Sequence, residues 1–269
     1  MWNRTVTVGR VVMAILATVA VVISVLQSEG IVPANKTLAN IVTYGSLVII
    51  ALDNVVTLIR RSARDRRLKK EQDIAAAAMA LLLDVCKKPE LRFEKLGVCV
   101  YVAENKWKWS WTNPLSFFRE TELVRVHRFR PSGYPQQSGV TWRSGKGVVG
   151  QAWQDQRTTY RNWQSIAARW ADADISEPAF ERIPKGTRSG FTRSDFVSIA
   201  GKYAEIVAEP IWDKRVNNKC IGVVALDRQY EADVTFSGNP LNHADTRSFL
   251  STTAALLGTV LSTATNSVT

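Results

Sequence analysis

Two long apolar runs stand near the start of the chain. Val11 to Leu26 carries no charged residue, Leu38 to Ile59 carries only Asp53, and no comparable run recurs after Ile59. At 1.5 Å rise per residue the first reaches about 24 Å and the second about 33 Å, against a hydrocarbon core of ~30 Å. Both predict transmembrane helices, at about 11–27 and 38–59, so residues 1–62 read as a membrane hairpin. Arg10 can extend its aliphatic stem to the interface and Gln27 can sit there, which offsets the shortness of the first span. A cleaved signal peptide would share the early arginines. However, Gln27-Ser28-Glu29-Gly30 is a poor small-x-small cleavage site, and a second apolar run follows at once.

Within the second run, Thr43, Ser46, Ile50, Asp53 and Thr57 recur at helical spacing and share one face. An aspartate at membrane depth costs roughly 2.5–3.5 kcal/mol on insertion scales, so this polar stripe is expected to face another helix or a water-filled space. The first run offers a strip of smaller residues, Ala14, Ala17, Val21 and Ser24, which lets backbones approach. Packing of the hairpin on itself and a seam between copies of the chain both satisfy the pattern.

Beyond Ile59 the pattern changes. Arg60 to about Lys88 predicts one continuous basic connecting helix, ended by Lys88-Pro89. Leu96 to Val102 reads as a buried strand, Trp107, Trp109 and Trp111 alternate with polar residues on an extended segment, and Leu123 to Phe129 reads as another strand. The three indoles suit packing against a neighbouring element or a stacking platform for a ligand. Short strands between two long helices indicate an α+β domain over 89–269.

Charge gives the orientation. The chain has a formal net charge of +11, much of it from Arg60, Arg61, Arg64, Arg66, Arg67, Lys69 and Lys70, against Asp65 alone in that stretch. Arg4 and Arg10 flank the other end of the hairpin, and the loop between the spans has one acid and one base. The positive-inside rule therefore places both termini in the cytoplasm and the protein in the inner membrane as a multi-pass chain. The basic segment is expected to lie on anionic headgroups. Residues 71–269 hold 25 basic and 21 acidic side chains, which argues against nucleic acid as a partner. Three cysteines without paired spacing and two histidines signal no disulfide framework and no metal site. Cys99 and Cys220 fall inside apolar strands, where a thiol is a poor nucleophile.

Three segments resemble the motifs of GAF domains. Ser144-Gly-Lys-Gly-Val-Val-Gly-Gln-Ala-Trp153 resembles the central glycine-flanked signature, followed by an extended segment at Arg157-Thr-Thr-Tyr-Arg-Asn162. Ile206-Val-Ala-Glu-Pro-Ile-Trp212 is similar to the proline-containing "VPI" strand, and Lys219-Cys-Ile-Gly-Val-Val-Ala-Leu-Asp227 to the "GVLSLD" strand that follows it. An amphipathic helix at about 243–263 closes the pattern. The resemblance covers about 70–265. It implies a GAF-like antiparallel sheet with flanking helices, here preceded by two transmembrane α-helices, and a ligand pocket on the face of the sheet away from the long helices. Gly147 and Gly150 suit a tight turn into a helix on conformational grounds alone.

In such domains the pocket is lined from the segment between the signature helix and the "VPI" strand, here 163–196. The resemblance makes Trp163, Arg169, Arg188, Thr192, Arg193 and Asp195 the candidate ligand-binding residues. Arginines and hydroxyls suit a phosphate and an indole suits a base, which points to a cyclic nucleotide or similar small anion. The same composition also describes a solvated loop. The phosphodiesterase-associated Asn-Lys-x-x-x-Phe-x-x-x-Asp-Glu series and the cysteine–histidine arrangement for bilin attachment are missing, and no cofactor is implied. No kinase, cyclase, phosphodiesterase or DNA-binding pattern follows, so a non-enzymatic protein is expected. A sensor fused to a short membrane hairpin resembles the membrane effectors of CBASS- and Pycsar-type antiphage systems. There a cyclic nucleotide would drive homo-oligomeric assembly of the hairpins and impair the membrane. The alternative is a membrane-anchored sensor that signals to a separate partner protein.

Overall fold

The computed structural model describes residues 18–262 except 20, 24, 27, 31–35, 89, 111–112, 172, 233 and 235–237, and omits the side chains of 36–43, 46–47, 49–50, 108–110 and 113–119. The chain divides into two compact units, Met1–Leu68 and Lys69–Thr269.

In the first unit the second apolar run is helical, as part of α1 (Lys36–Val85). Val48, Leu52, Val55, Leu58 and Ile59 are all more than half exposed. Among the described residues no helix is long and apolar enough to cross a membrane. Val11 to Ala17 of the first expected span, and the side chains of Thr43 and Ser46 in the stripe, lie outside the described residues. Asp53 is exposed and Thr57 half-buried.

The second unit is an α+β fold on a six-stranded antiparallel sheet of order β3-β2-β1-β6-β5-β4. Its strands are β1 (Leu96–Ser110), β2 (Asn113–Phe129), β3 (Trp142–Arg143), β4 (Thr159–Asn162), β5 (Tyr203–Asp213) and β6 (Lys219–Gln229). Strand periodicity sorts the β1 side chains between two faces. Leu96, Val98 and Val100 join one core, while Cys99 and Tyr101 join another.

The first core lies between the sheet and two helices. Ile74, Ala77, Ala78, Leu81, Leu82 and Val85 form an i, i+3, i+4 stripe on α1 that is almost wholly buried. Leu250, Ala254, Leu257 and Leu261 do the same on the C-terminal helix Ala244–Ser262. The amphipathic helix expected at 243–263 is thus present, and the continuous helix leading into the domain ends at Val85.

The opposite face is covered too. The signature segment forms α2 (Gly147–Asp155), entered by a turn in which Gly147 has φ +61°. A side chain there would be strained and would meet the rings of Phe191 and Trp142. Val148, Val149 and Ala152 of α2 bury against Tyr101, Ala208 and Val223 of the sheet. The motif segments 157–162, 206–212 and 219–227 fall on β4, β5 and β6, which are neighbours in the sheet.

The segment 163–196 differs from the expected polar loop. It folds into four short helices, α3 (Gln164–Trp170), α4 (Glu177–Arg182), α5 (Lys185–Arg188) and α6 (Arg193–Ala200). The physical reason is a third core of its own: Trp163, Ile175, Phe180, Ile183, Phe191, Phe196 and Ile199 are each at most 6 % exposed and pack together. The C-terminal helix, seventh of the described helices from α1, is called α7 below.

Candidate functional site

Among the described residues, the sheet face away from α1 and α7 is covered by α2 and by packed aromatic side chains. Tyr101, Trp142 and Phe191 occupy it in edge-to-face contact, with ring centroids 5.7 and 5.8 Å apart. Trp163 lies behind them, 6.2 Å from Phe191 and 6.1 Å from Phe196, with 1 % of its surface exposed. Its indole is core, placed there because Trp163 precedes α3 and its backbone N–H donates to the Ala204 carbonyl at 2.7 Å.

An open concavity lies outside this core, between α3, α4 and α5. It is a groove of about 400 Å³. Ser165, Ile166, Arg169 and Trp170 come to it from one face of α3, at i, i+1, i+4 and i+5. From the other side come Ala179, Arg182 and Ile183, with Pro184 and Thr187 at its end. The Arg169 guanidinium sits 4.9 Å from the centroid of the Trp170 ring, which holds a cation against an indole beside an apolar floor. Two guanidiniums, an indole and two hydroxyls thus converge on one groove. That set can bind a planar, anionic molecule: the arginines take charge and the indole offers a stacking face.

Of the six residues singled out from sequence, Arg169 lines this groove. Arg188 instead lays its guanidinium on Phe180, 5.3 Å from the ring centroid, and its Nε is buried without a partner. Thr192 and Asp195 close a capping box at the start of α6. The Thr192 hydroxyl accepts from the Asp195 N–H, and the Asp195 carboxylate accepts from the Thr192 N–H at 3.2 Å. Arg193 donates to the carbonyl of Ile175 and lies 3.6 Å from Asp174, which pins the connection between α3 and α4. Trp170 and Arg182 are in the same stretch of sequence. Ser165 and Thr187 gave no motif signal, but helical spacing would have put Ser165 beside Arg169.

Asp195 also reaches the signature turn. Its carboxylate is 2.6 Å from Nζ of Lys146, whose side chain is only 6 % exposed. Burial opposes the charged carboxylate, and the bonds from Lys146 and Thr192 outweigh it, so the group titrates below its ordinary value. A depressed carboxylate contributes stability that is present above the unfolded-state pKa and lost as pH falls through the folded one. Asp195→Ala leaves the buried Lys146 ammonium without its carboxylate, at a cost of about 1–3 kcal/mol. The melting temperature of this variant should lie below that of the parent at neutral pH. The difference should shrink as pH drops under the ordinary value of 3.8, and a pH-independent difference would refute the assignment.

The described residues contain no cluster of His, Cys, Asp or Glu able to hold a metal ion. Cys99 and Cys220 are 8 % and 6 % exposed, and burial pushes both thiols up.

No family model and no curated protein matches this chain. Several solved structures are similar to it. A protein described as a GAF sensor from Burkholderia vietnamiensis aligns at 17 % identity over 75 % of this chain and 92 % of its own, with a TM-score of 0.36. The GAF domain of a two-component sensor histidine kinase from Bacillus halodurans aligns at 16 % identity over 70 % of this chain and 95 % of its own, TM-score 0.35. The GAF domain of an Acinetobacter phosphoenolpyruvate-protein phosphotransferase aligns at 14 % identity over 77 % and 97 %, TM-score 0.37.

Proposed function

We propose that this chain is a GAF-like sensor of a small anionic ligand of the cyclic-nucleotide type, carried on an N-terminal membrane hairpin. The observation that carries the ligand reading is the groove, where Arg169, Arg182 and Trp170 converge with two hydroxyls on about 400 Å³ of space. It is built from the segment between the signature helix and the "VPI" strand, where the motif resemblance puts the ligand. The membrane reading rests on the two apolar runs and on the row of exposed aliphatic side chains from Val48 to Ile59. Buried, weakly acidic thiols do not favour cysteine chemistry.

The ligand-bound state acts through the membrane. In the effector form of this reading, hairpins of several copies assemble along the stripe that holds Asp53 and breach the inner membrane, as in antiphage defence. In the other form the anchored sensor signals to a separate protein. One experiment separates them. The full chain is reconstituted in dye-loaded liposomes and exposed to a panel of 3′,5′-cyclic mononucleotides and cyclic dinucleotides. The effector form requires leakage with one nucleotide, and loss of that leakage in Asp53→Leu with nucleotide binding intact. A nucleotide that raises the melting temperature without leakage selects the sensor form. The absence of any thermal shift across the panel would overturn the cyclic-nucleotide reading.

A further inference from the structure

The stacking face in the groove is already in use. Trp170 ends α3 and packs, with Ile166 one turn before it, against the third core. Arg169 follows Ser165 by the same four residues, and helical side chains lean toward the turn that precedes them. The two neighbours emerge together on the groove, where the Arg169 guanidinium lies over the indole, 4.9 Å from the ring centroid. Arg169 is exposed and Trp170 half-buried, so water reaches the pair. None of the described residues that line the groove is acidic. The negative face of the ring is therefore what the guanidinium has to rest on there.

Magnitudes decide whether that contact survives a ligand. A cation–π contact at an exposed site is worth about two- to fivefold in an equilibrium constant. A charge-assisted bond to an anion is worth about tenfold or more, and stacking of a base on an aromatic ring about fivefold or more. A ligand that carries both a base and an anion gains more than it displaces. A neutral planar molecule has to uncover the indole and receives nothing from the guanidinium in return. The cover thus favours ligands in which the two features are joined.

We infer that Arg169 is a displaceable cover on Trp170 that makes the groove selective. The base of a nucleotide takes the guanidinium's place on the indole, and the guanidinium turns to the phosphate, whereas the neutral nucleoside of the same base is disfavoured. This rests on the nucleotide-binding reading of the groove given above and adds to it the residue that sets the specificity.

The cover is read without any ligand. In the full chain, Arg169→Ala should make the tryptophan emission more accessible to acrylamide, and the same substitution in a Trp170→Phe background should not. Equal quenching of the parent and Arg169→Ala would overturn the cover. The exchange is read by titration calorimetry with 3′,5′-cyclic AMP, 3′,5′-cyclic GMP, cyclic di-AMP and cyclic di-GMP, each compared with adenosine or guanosine. In Arg169→Ala the preference for nucleotide over nucleoside should fall about tenfold or more, while nucleoside affinity itself rises about two- to fivefold. Arg182→Ala should weaken the nucleotide without raising the nucleoside, since the contact on the indole is made by Arg169. Nucleoside affinity that is unchanged or weaker in Arg169→Ala would overturn the inference and leave the nucleotide reading standing. A parent that binds none of the four nucleotides would overturn that reading, and the exchange with it.

Discussion

Asp227→Leu is expected to cost the domain roughly 3–5 kcal/mol, enough to unfold much of the population. Asp227 ends the "GVLSLD"-like motif within β6 and bonds Arg130, and the side chains of the pair are only 8 % and 2 % exposed. The fit is tight. Gly97 is opposite Asp227 in β1, and a Cβ there would collide with the Arg130 guanidinium. Removing the carboxylate strands a buried cation, whereas removing both charges does not. Arg130→Met/Asp227→Leu should therefore recover most of the loss. Urea unfolding of the parent, Asp227→Leu and the double variant measures this directly. A double variant no more stable than Asp227→Leu would mean that the pair does not act as a unit.

The second large effect is on binding. Once the thermal-shift panel has identified a nucleotide, Arg169→Ala/Arg182→Ala should weaken its binding by about 100-fold or more, with little change in melting temperature. Charge-assisted contacts contribute roughly 1.5–3 kcal/mol each, and both side chains lie on exposed helix faces where folding does not depend on them. Arg193→Ala should behave in the opposite way, by loosening the α3–α4 connection and lowering stability while changing affinity less. Titration calorimetry with the identified nucleotide decides between them. Unchanged affinity in the Arg169/Arg182 variant would remove the groove as the binding site.

Much of the architecture was legible because its signals are local. The helix over Ile74 to Val85, the apolar strand run Leu96–Val102 and the glycine turn at 144–150 depend on neighbours in sequence, which propensity, residue pattern and backbone sterics read directly. The strand and helix positions at 157–162, 206–212, 219–227 and 243–263 followed from motifs and held in the structure. The segment 163–196 was not legible in this way. Its helices run from four to eight residues, too short for a periodic signal, and are stable only because Trp163, Phe180, Phe191 and Phe196 meet across distant turns.

The same limit applies to the site. Residue type alone could not distinguish Arg169, which lines the groove, from Arg193, which pins a loop, or Asp195, which caps a helix and holds Lys146. The sequence by itself determined that this stretch is rich in arginine, hydroxyls and indoles. Tertiary structure decided which of them face space, because burial is settled by contacts between residues far apart in the chain. The tryptophans show this most plainly. Trp163 and Trp107 are the same residue type in polar surroundings, and packing buries the first to 1 % while the second, on β1, is 69 % exposed.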